Sequence, residues 1–277
     1  MVGYSTVVQK LEGLVGALLI CGLCAGCTAE ELRLVLVPRE VVLQRLQAGQ
    51  VREKERQGTI AQLFNSAACE TSLQRVDRSS SNVICTLAGK TTAEIVVGGH
   101  FDFVERGEGI VDDWSGTSLL PSLYEALKGE PTKHTFKFVA FTEEERGLIG
   151  STQFVRELTA EQRTDIKAFV NLECLGLAPP KVWVHRSTPT LLQDLAQIAK
   201  AVSIPVQGVD VDRVGDDDTH PFLNKKIPVI SIHSLTQETL PILHSPRDTI
   251  KAINTDYFYE AYRLVAFYLK YLDGQLD

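Results

Sequence analysis

Two imidazoles and three carboxylates stand where this chain could do chemistry: His100, Asp112, Glu145, Glu173 and His244, set at successive strand ends and loops. The set suits a pair of divalent cations, because the carboxylates neutralise charge and the imidazoles fill the remaining positions. Two ions roughly 3.5 to 4 Å apart would supply an activated water and a Lewis acid for a carbonyl oxygen, as peptide-bond hydrolysis near neutral pH requires. A further carboxylate close by would move the proton. Singly, these residues say little. A strand-end acid such as Asp112 or Glu145 commonly caps the next helix, and His100 or His244 alone could be a structural or surface residue. Glu173, closing an apolar strand, would be costly to leave without a partner. Their joint occurrence carries the signal.

The elements that must position them are legible in the pattern. Glu94 to Asp102 runs through Ile95-Val96-Val97 and two glycines before delivering His100 and Asp102, as an open α/β sheet presents chemistry at the carboxyl end of a strand. Further strands are predicted over Thr135–Phe141, Lys167–Glu173, Lys181–His185 and Ile227–Ile232, and Asn82–Leu87 is predicted to pair with Ala93–Gly99 around a turn at Gly89-Lys90. Two amphipathic helices are expected between Pro38 and Ala68, with no chemistry of their own. Others are expected over Thr117–Lys128, from about Leu148, after the Thr188-Pro189 cap, and over Asp256–Leu272. Strands alternating with helices predict an α/β fold: a single-domain, mixed, mostly parallel central sheet with helices on both faces. No repeat or linker interrupts the chain after residue 30, so residues 28–277 read as one catalytic domain.

Residues 1–27 differ. No charge appears between Glu12 and Glu30, and Leu14–Ile20 leads into a stretch of small residues. This is short for a membrane span of about 20 residues and fits a secretory signal, so an exported, periplasmic or extracellular protein is expected. Ala25-Gly26-Cys27 also resembles the lipobox of bacterial lipoproteins, in which Cys27 would be acylated and tether the protein to a membrane; an uncleaved anchor is the plainer alternative. Cys21, Cys24 and Cys27 lack a fourth ligand for a metal cluster. In an oxidising compartment Cys69 and Cys85 could pair, while Cys174 reads as core. The chain has 277 residues and a formal net charge of -7, which argues against nucleic acid as a partner.

Five motifs stand in order from about residue 82 to the C-terminus. They are His100-Phe101-Asp102, Val111-Asp112-Asp113-Trp114-Ser115-Gly116, Glu144-Glu145-Arg146-Gly147-Leu148-Ile149-Gly150-Ser151, Asn171-Leu172-Glu173 and His244-Ser245-Pro246-Arg247-Asp248-Thr249. They resemble the motifs of metallopeptidase family 28, the co-catalytic dizinc aminopeptidases, to which glutaminyl cyclase and glutamate carboxypeptidase are related. The resemblance implies a zinc exopeptidase fold of the phosphorylase/hydrolase-like type, two zinc ions per chain and peptide substrates. Asp112 would bridge the ions, one also held by Glu145 and His244 and the other by His100 and Glu173. Glu144 would be the general base, Asp102 would fix the tautomer of His100, and Asp248 would support the turn of His244. In two places the chain departs from the family: Glu173 stands where Asp is common, and Asp113, where Asn is frequent, adds charge beside the bridge.

Other candidates are weaker. The loop Asp216-Asp217-Asp218-Thr219-His220 is expected to be solvated, with Asp218 or Thr219 as a helix N-cap; holding a substrate amine or supporting the site is the alternative. His233, His134 and His185 are expected to be structural, and Trp114 to pack beside the metal loop or wall a pocket. No Ser-His-Asp elbow or phosphate-cradling loop is present. Beside the aminopeptidase stand two rivals, a single-zinc glutaminyl cyclase and a non-catalytic binding protein on the same scaffold. The pattern does not reach the oligomeric state.

Overall fold

The computed structural model describes residues 34–49, 52–212 and 215–277. The export segment expected over residues 1–27, with Cys27, lies outside them. In chain order the described helices and strands are α1 (Arg39–Gln47), α2 (Glu53–Ser66), β1 (Thr71–Arg75), β2 (Ser81–Leu87), β3 (Glu94–His100), α3 (Ser115–Thr117), α4 (Leu120–Leu127), β4 (Thr135–Phe141), α5 (Ile149–Glu157), α6 (Ala160–Asp165), β5 (Ile166–Glu173), β6 (Lys181–Val182), α7 (Pro189–Ala201), β7 (Gln207–Gly208), α8 (Thr219–Leu223), β8 (Val229–His233) and α9 (Thr255–Gln275).

The strands form one sheet in the order β1-β2-β4-β3-β5-β8-β6-β7. Its centre, β4-β3-β5-β8, is parallel, while β1 and β2 at one side and β6 against β8 are antiparallel. The mixed, mostly parallel sheet with helices is therefore as the sequence predicts. Side chains alternate across it. Ile95 and Val97 enter the larger core, where α9 packs on α1, α4 and α7, whereas Val96 enters a smaller core with Phe141, Phe154, Phe169 and Phe222. The Phe169 and Phe222 rings stack with centroids 3.9 Å apart, clamping α8 beneath β5.

The pairing expected between the strands at residues 82–87 and 93–99 does not form. Strand β4 lies between them, antiparallel to β2 at Cys85↔Phe138 and parallel to β3 at Val97↔Phe138. The connecting turn explains why: the Lys90 and Thr91 amides donate to the carbonyls of Thr132 and Lys133, and the Gly89 amide donates to Thr135 Oγ1. The turn is thus bound to the chain entering β4. Strand β1 was not foreseen, because Thr71-Ser72-Leu73-Gln74-Arg75 is a largely exposed edge with no apolar alternation. The strand expected over Lys181–His185 ends at Val182.

Cys69, just beyond α2, and Cys85, in β2, form a disulfide across 16 residues of sequence. Closing a loop of this size restricts the unfolded chain by about 3 kcal/mol. Reduction, or Cys69→Ala, is expected to lower the unfolding free energy by about that amount in urea titrations, with the reductant having no effect on the variant.

Candidate metal centre

The site lies at the carboxyl ends of the parallel strands, where β3 ends in His100 and β5 in Glu173. Between them the chain turns sharply at Ile110–Trp114, and Asp112 and Asp113 there leave helical geometry. The turn is held from several sides. Asp248 accepts the amides of Val111 at 2.6 Å and Asp112 at 3.3 Å. Ser115 Oγ donates to the Val111 carbonyl and accepts the Leu175 amide, each at 2.7 Å. Gly116 passes so close to β5 that a Cβ there would meet the Leu172 carbonyl oxygen at 2.3 Å. The motif Asp-x-x-Ser-Gly is in this sense a docking device: hydroxyl and glycine fasten the turn to β5 so that its first acid faces outward.

That acid sits between two groups. His100 Nε2 lies 3.2 Å from Asp112 Oδ1 and 3.5 Å from Glu173 Oε1. His244 Nε2 lies 3.2 Å from Asp112 Oδ2 and 3.0 Å from Glu145 Oε2. Donor atoms of His100, Asp112 and Glu173 come within 4.8 Å of one another, as do those of Asp112, Glu145 and His244, so each trio could hold a metal ion and Asp112 offers one oxygen to each. Glu144 Oε2 is 3.9 Å from His100 Nε2.

The electrostatics are those of a place short of positive charge. Burial, with Asp218, Glu173 and Asp112 close by, pushes the Glu144 carboxyl well above its usual range against the pull of His100. Burial raises Glu173 in the same way. Burial alone would lower His100, yet Glu144 and Glu173 hold it well above an ordinary imidazole. Bonds to Asp112 and Glu145 raise His244 to about 10. Carboxylates thus outnumber the imidazoles, and among the described residues no Lys or Arg lines the cleft beside them. The donor set, with its surplus of carboxylates, fits divalent cations.

The supporting residues differ in part from expectation. Asp102 does lie beside His100, but its backbone carbonyl is the nearer partner of Nδ1, at 3.1 Å against 3.5 Å for Oδ1. Its carboxylate accepts the amides of Glu144 at 3.0 Å and Glu145 at 3.1 Å, tying the end of β4 to that of β3. Asp248 supports the turn of Asp112 rather than that of His244. Asp113 is buried, and burial first and Glu173 second push its carboxyl well up, opposing the added charge expected there. The acidic loop is not solvated around its second and third acids: Asp217 and Asp218 are buried, and Asp218 makes no side-chain cap. Asp217 takes that part, accepting the Thr219 amide and hydroxyl through Oδ1 and Ser231 Oγ at 2.6 Å through Oδ2. Polar partners on β8 and α8 draw the loop inward.

His233 is structural, as expected. It is buried, accepts the Leu235 amide on Nδ1 and donates from Nε2 to the Val209 carbonyl. His134 is buried beside Asp273, and His185 is exposed between Asp210 and Asp212. Trp114 packs behind the turn and donates to the Arg45 carbonyl; the cleft wall is Trp183. Three supports were missed. Asn171 bridges Glu173 Oε2 and Asp217 Oδ2 at 3.4 and 3.3 Å. Its position two residues before Glu173, on the same strand face, was the available signal. Trp183 had none. Arg56, on a helix read as without chemistry, is fully buried; it donates to the carbonyls of Phe101, Gly49 and Glu108 and lies over the Phe103 ring.

Two outcomes are expected. Gly116→Ala should destabilise the protein by more than about 2 kcal/mol, since neither the Leu172 backbone nor the buried Asp113 can retreat; calorimetry measures it. Burial lowers the pKa of His233 to about 4, so the native state keeps it neutral while the unfolded chain titrates near 6.5. Its contribution to stability is full above pH 6.5 and is lost as pH falls to 4, by on the order of 3 kcal/mol. In His233→Gln the plot of unfolding free energy against pH should be flatter over that window.

The chain resembles known proteins in sequence and in fold. It is 30% identical over 178 residues to leupeptin-inactivating enzyme 1 of Streptomyces exfoliatus, an alignment covering 62% of this chain and 40% of that protein. It therefore spans less than half the length of that relative. The fold superposes on the LapA aminopeptidase of Legionella pneumophila with a TM-score of 0.78 at 19% identity, over 87% of this chain and 73% of that one. It also superposes on an Acidobacteriales bacterium glutaminyl cyclase with a TM-score of 0.70 at 20% identity, over 86% and 94% of the two chains. The sequence pattern of peptidase family M28 matches residues 82–269, a span holding all five motifs, and the chain belongs to that family.

Proposed function

We propose that the chain is an exported aminopeptidase, removing amino-terminal residues from peptides with two zinc ions and a glutamate base. His100, Glu173 and one oxygen of Asp112 would hold one ion; Glu145, His244 and the other oxygen of Asp112 would hold the second. Both trios sharing Asp112 is the observation that carries this reading. When bound, the ions would supply Lewis acidity for the scissile carbonyl and lower the pKa of a water.

The chain's own residues do the rest. Glu144, its backbone anchored by the Asp102 carboxylate and its Oε2 3.9 Å from His100 Nε2, would take the proton of that water and pass it to the leaving amine. The adjoining cleft is walled by Trp183, Val211, Leu235 and Leu243 and edged by Glu144, Glu173 and Asp217. The apolar wall suits a bulky uncharged side chain, and His233, held neutral, adds no charge to it. The acidic edge suits a protonated α-amine. This favours trimming from the amino end. Relatives named leucine aminopeptidase 2 and leupeptin-inactivating enzyme 1 are consistent with that preference. The Cys69–Cys85 disulfide supports maturation outside the reducing cytosol. A lipid tether at Cys27 is a further part of the proposal. Among the described residues no helix is long and apolar enough to cross a membrane.

Release of the amino acid from leucyl-nitroanilide, abolished by a chelator and restored by zinc, is the expected result. Glu144→Gln should lower kcat by about 10² to 10⁴-fold while bound metal stays at the wild-type level. Near-wild-type turnover in that variant would remove Glu144 from its role, and cyclisation of a Gln-initiated peptide without hydrolysis would replace the aminopeptidase by a cyclase.

A further inference from the structure

At the opposite end of the sheet a second cleft of about 490 Å³ opens between the start of β5 and the turn entering β8. It is lined by Arg163, Lys167, Lys225 and Lys226, together with Ala160, Thr164, Ile166 and Pro228. Among the described residues no carboxylate lines it. Strands β5 and β8 are parallel neighbours, so the segments before them, α6 with its exit and the residues after α8, are brought side by side by the sheet itself. The amide of Phe169 donates to the Pro228 carbonyl at 2.8 Å and fastens one to the other. From Ile166 at the cleft to Glu173 is the length of β5, roughly 23 Å at the rise of a strand.

Four cations gathered here are unusual for a chain with 28 basic and 35 acidic residues. Acids are plentiful, yet among the described residues none of the four side chains is in an ion pair. The other exposed polar groups are already engaged. Thr164 Oγ1 donates to the Ala160 carbonyl at 3.1 Å, and the amides of Lys225 and Lys226 donate to Phe222 and Leu223. Lys226 takes a left-handed backbone, φ 60°, which ends the turn after α8. Arg163 and Lys167 are half-buried while Lys225 and Lys226 are exposed. Gathering like charges without counter-ions is unfavourable, and a ligand bearing several negative charges would relieve it.

We propose that this cleft is a binding site for a multiply charged phosphate or sulfate group, separate from the metal centre. Arg163 presents a planar fork suited to two oxygens of such a group. Lys167, Lys225 and Lys226 surround the remaining charge. A soluble polyphosphate carries several phosphate charges on one molecule, an anionic membrane presents them as an array of singly charged phosphodiester headgroups, and the experiment separates the two.

Calorimetric titration of the full chain with tripolyphosphate, and flotation with phosphatidylcholine vesicles containing phosphatidylglycerol, would be run on wild type, on Lys225→Glu/Lys226→Glu and on Arg163→Gln. One saturable site for tripolyphosphate is expected, weakening severalfold as sodium chloride rises from about 50 to about 200 mM. It should weaken at least tenfold in the double variant, with peptide turnover unchanged. Flotation that is lost in the double variant, without tripolyphosphate binding, would assign the site to an anionic membrane surface. Binding to neither probe, or equal binding by wild type and both variants, would overturn the proposal.

Discussion

The arrangement depends on one constraint, the crowding of carboxylates around Asp112 in a place almost closed to water. Asp112, Asp113, Asp217 and Asp218 are buried, and Glu144, Glu145 and Glu173 stand at the edge with side chains largely covered. Burying one ionised carboxylate without compensation costs several kcal/mol, and several together cost more, because each raises the proton affinity of the next. The two imidazoles can offset only part of this. Divalent cations would offset more of it, and the donor types and the central Asp112 suit them.

Holding such a site open demands rigidity that the acids cannot provide. The turn carrying Asp112 is fastened by Asp248 from the segment before α9, by Ser115 to Leu175 beyond β5, and by the contact that only glycine allows at residue 116. Asp102 joins the end of β3 to the loop after β4. Arg56, buried among the carbonyls of Gly49, Phe101 and Glu108, ties the amino-terminal helices to the same loops. Strand ends, loops and helices from across the chain thus brace one another, and the parallel sheet sets the spacing of their anchors.

Much of this was legible because the information is local. An apolar run ending in Gly98-Gly99-His100 specifies both a buried strand and what its end presents, and Phe169 to Glu173 does the same. His100 and Glu173 stand out on that ground, while Asp112, Glu145 and His244 were chosen through the resemblance of their motifs; the structure brings donor atoms of these residues together in two trios. Pairing order was not legible, because the turn at Gly89-Lys90 has hairpin composition while its partners, Thr132 and Lys133, lie some forty residues away. The acidic loop deceived for a related reason. Three consecutive acids read as solvated, and the placing of Ser231 and Asn171 by the sheet adds buried donors to those that Thr219 gives Asp217. Asp102 and Asp248 also accept backbone amides, which no sequence pattern marks.

The claim that Asp112 is shared by two ions is tested most directly by counting metal. Zinc-loaded wild type, Glu173→Ala and Asp112→Ala would be dialysed and analysed by inductively coupled plasma mass spectrometry, with circular dichroism confirming that each is folded. The account predicts two zinc ions per chain in wild type, one in Glu173→Ala and neither retained in Asp112→Ala. A single ion in wild type, or two in folded Asp112→Ala, would contradict it.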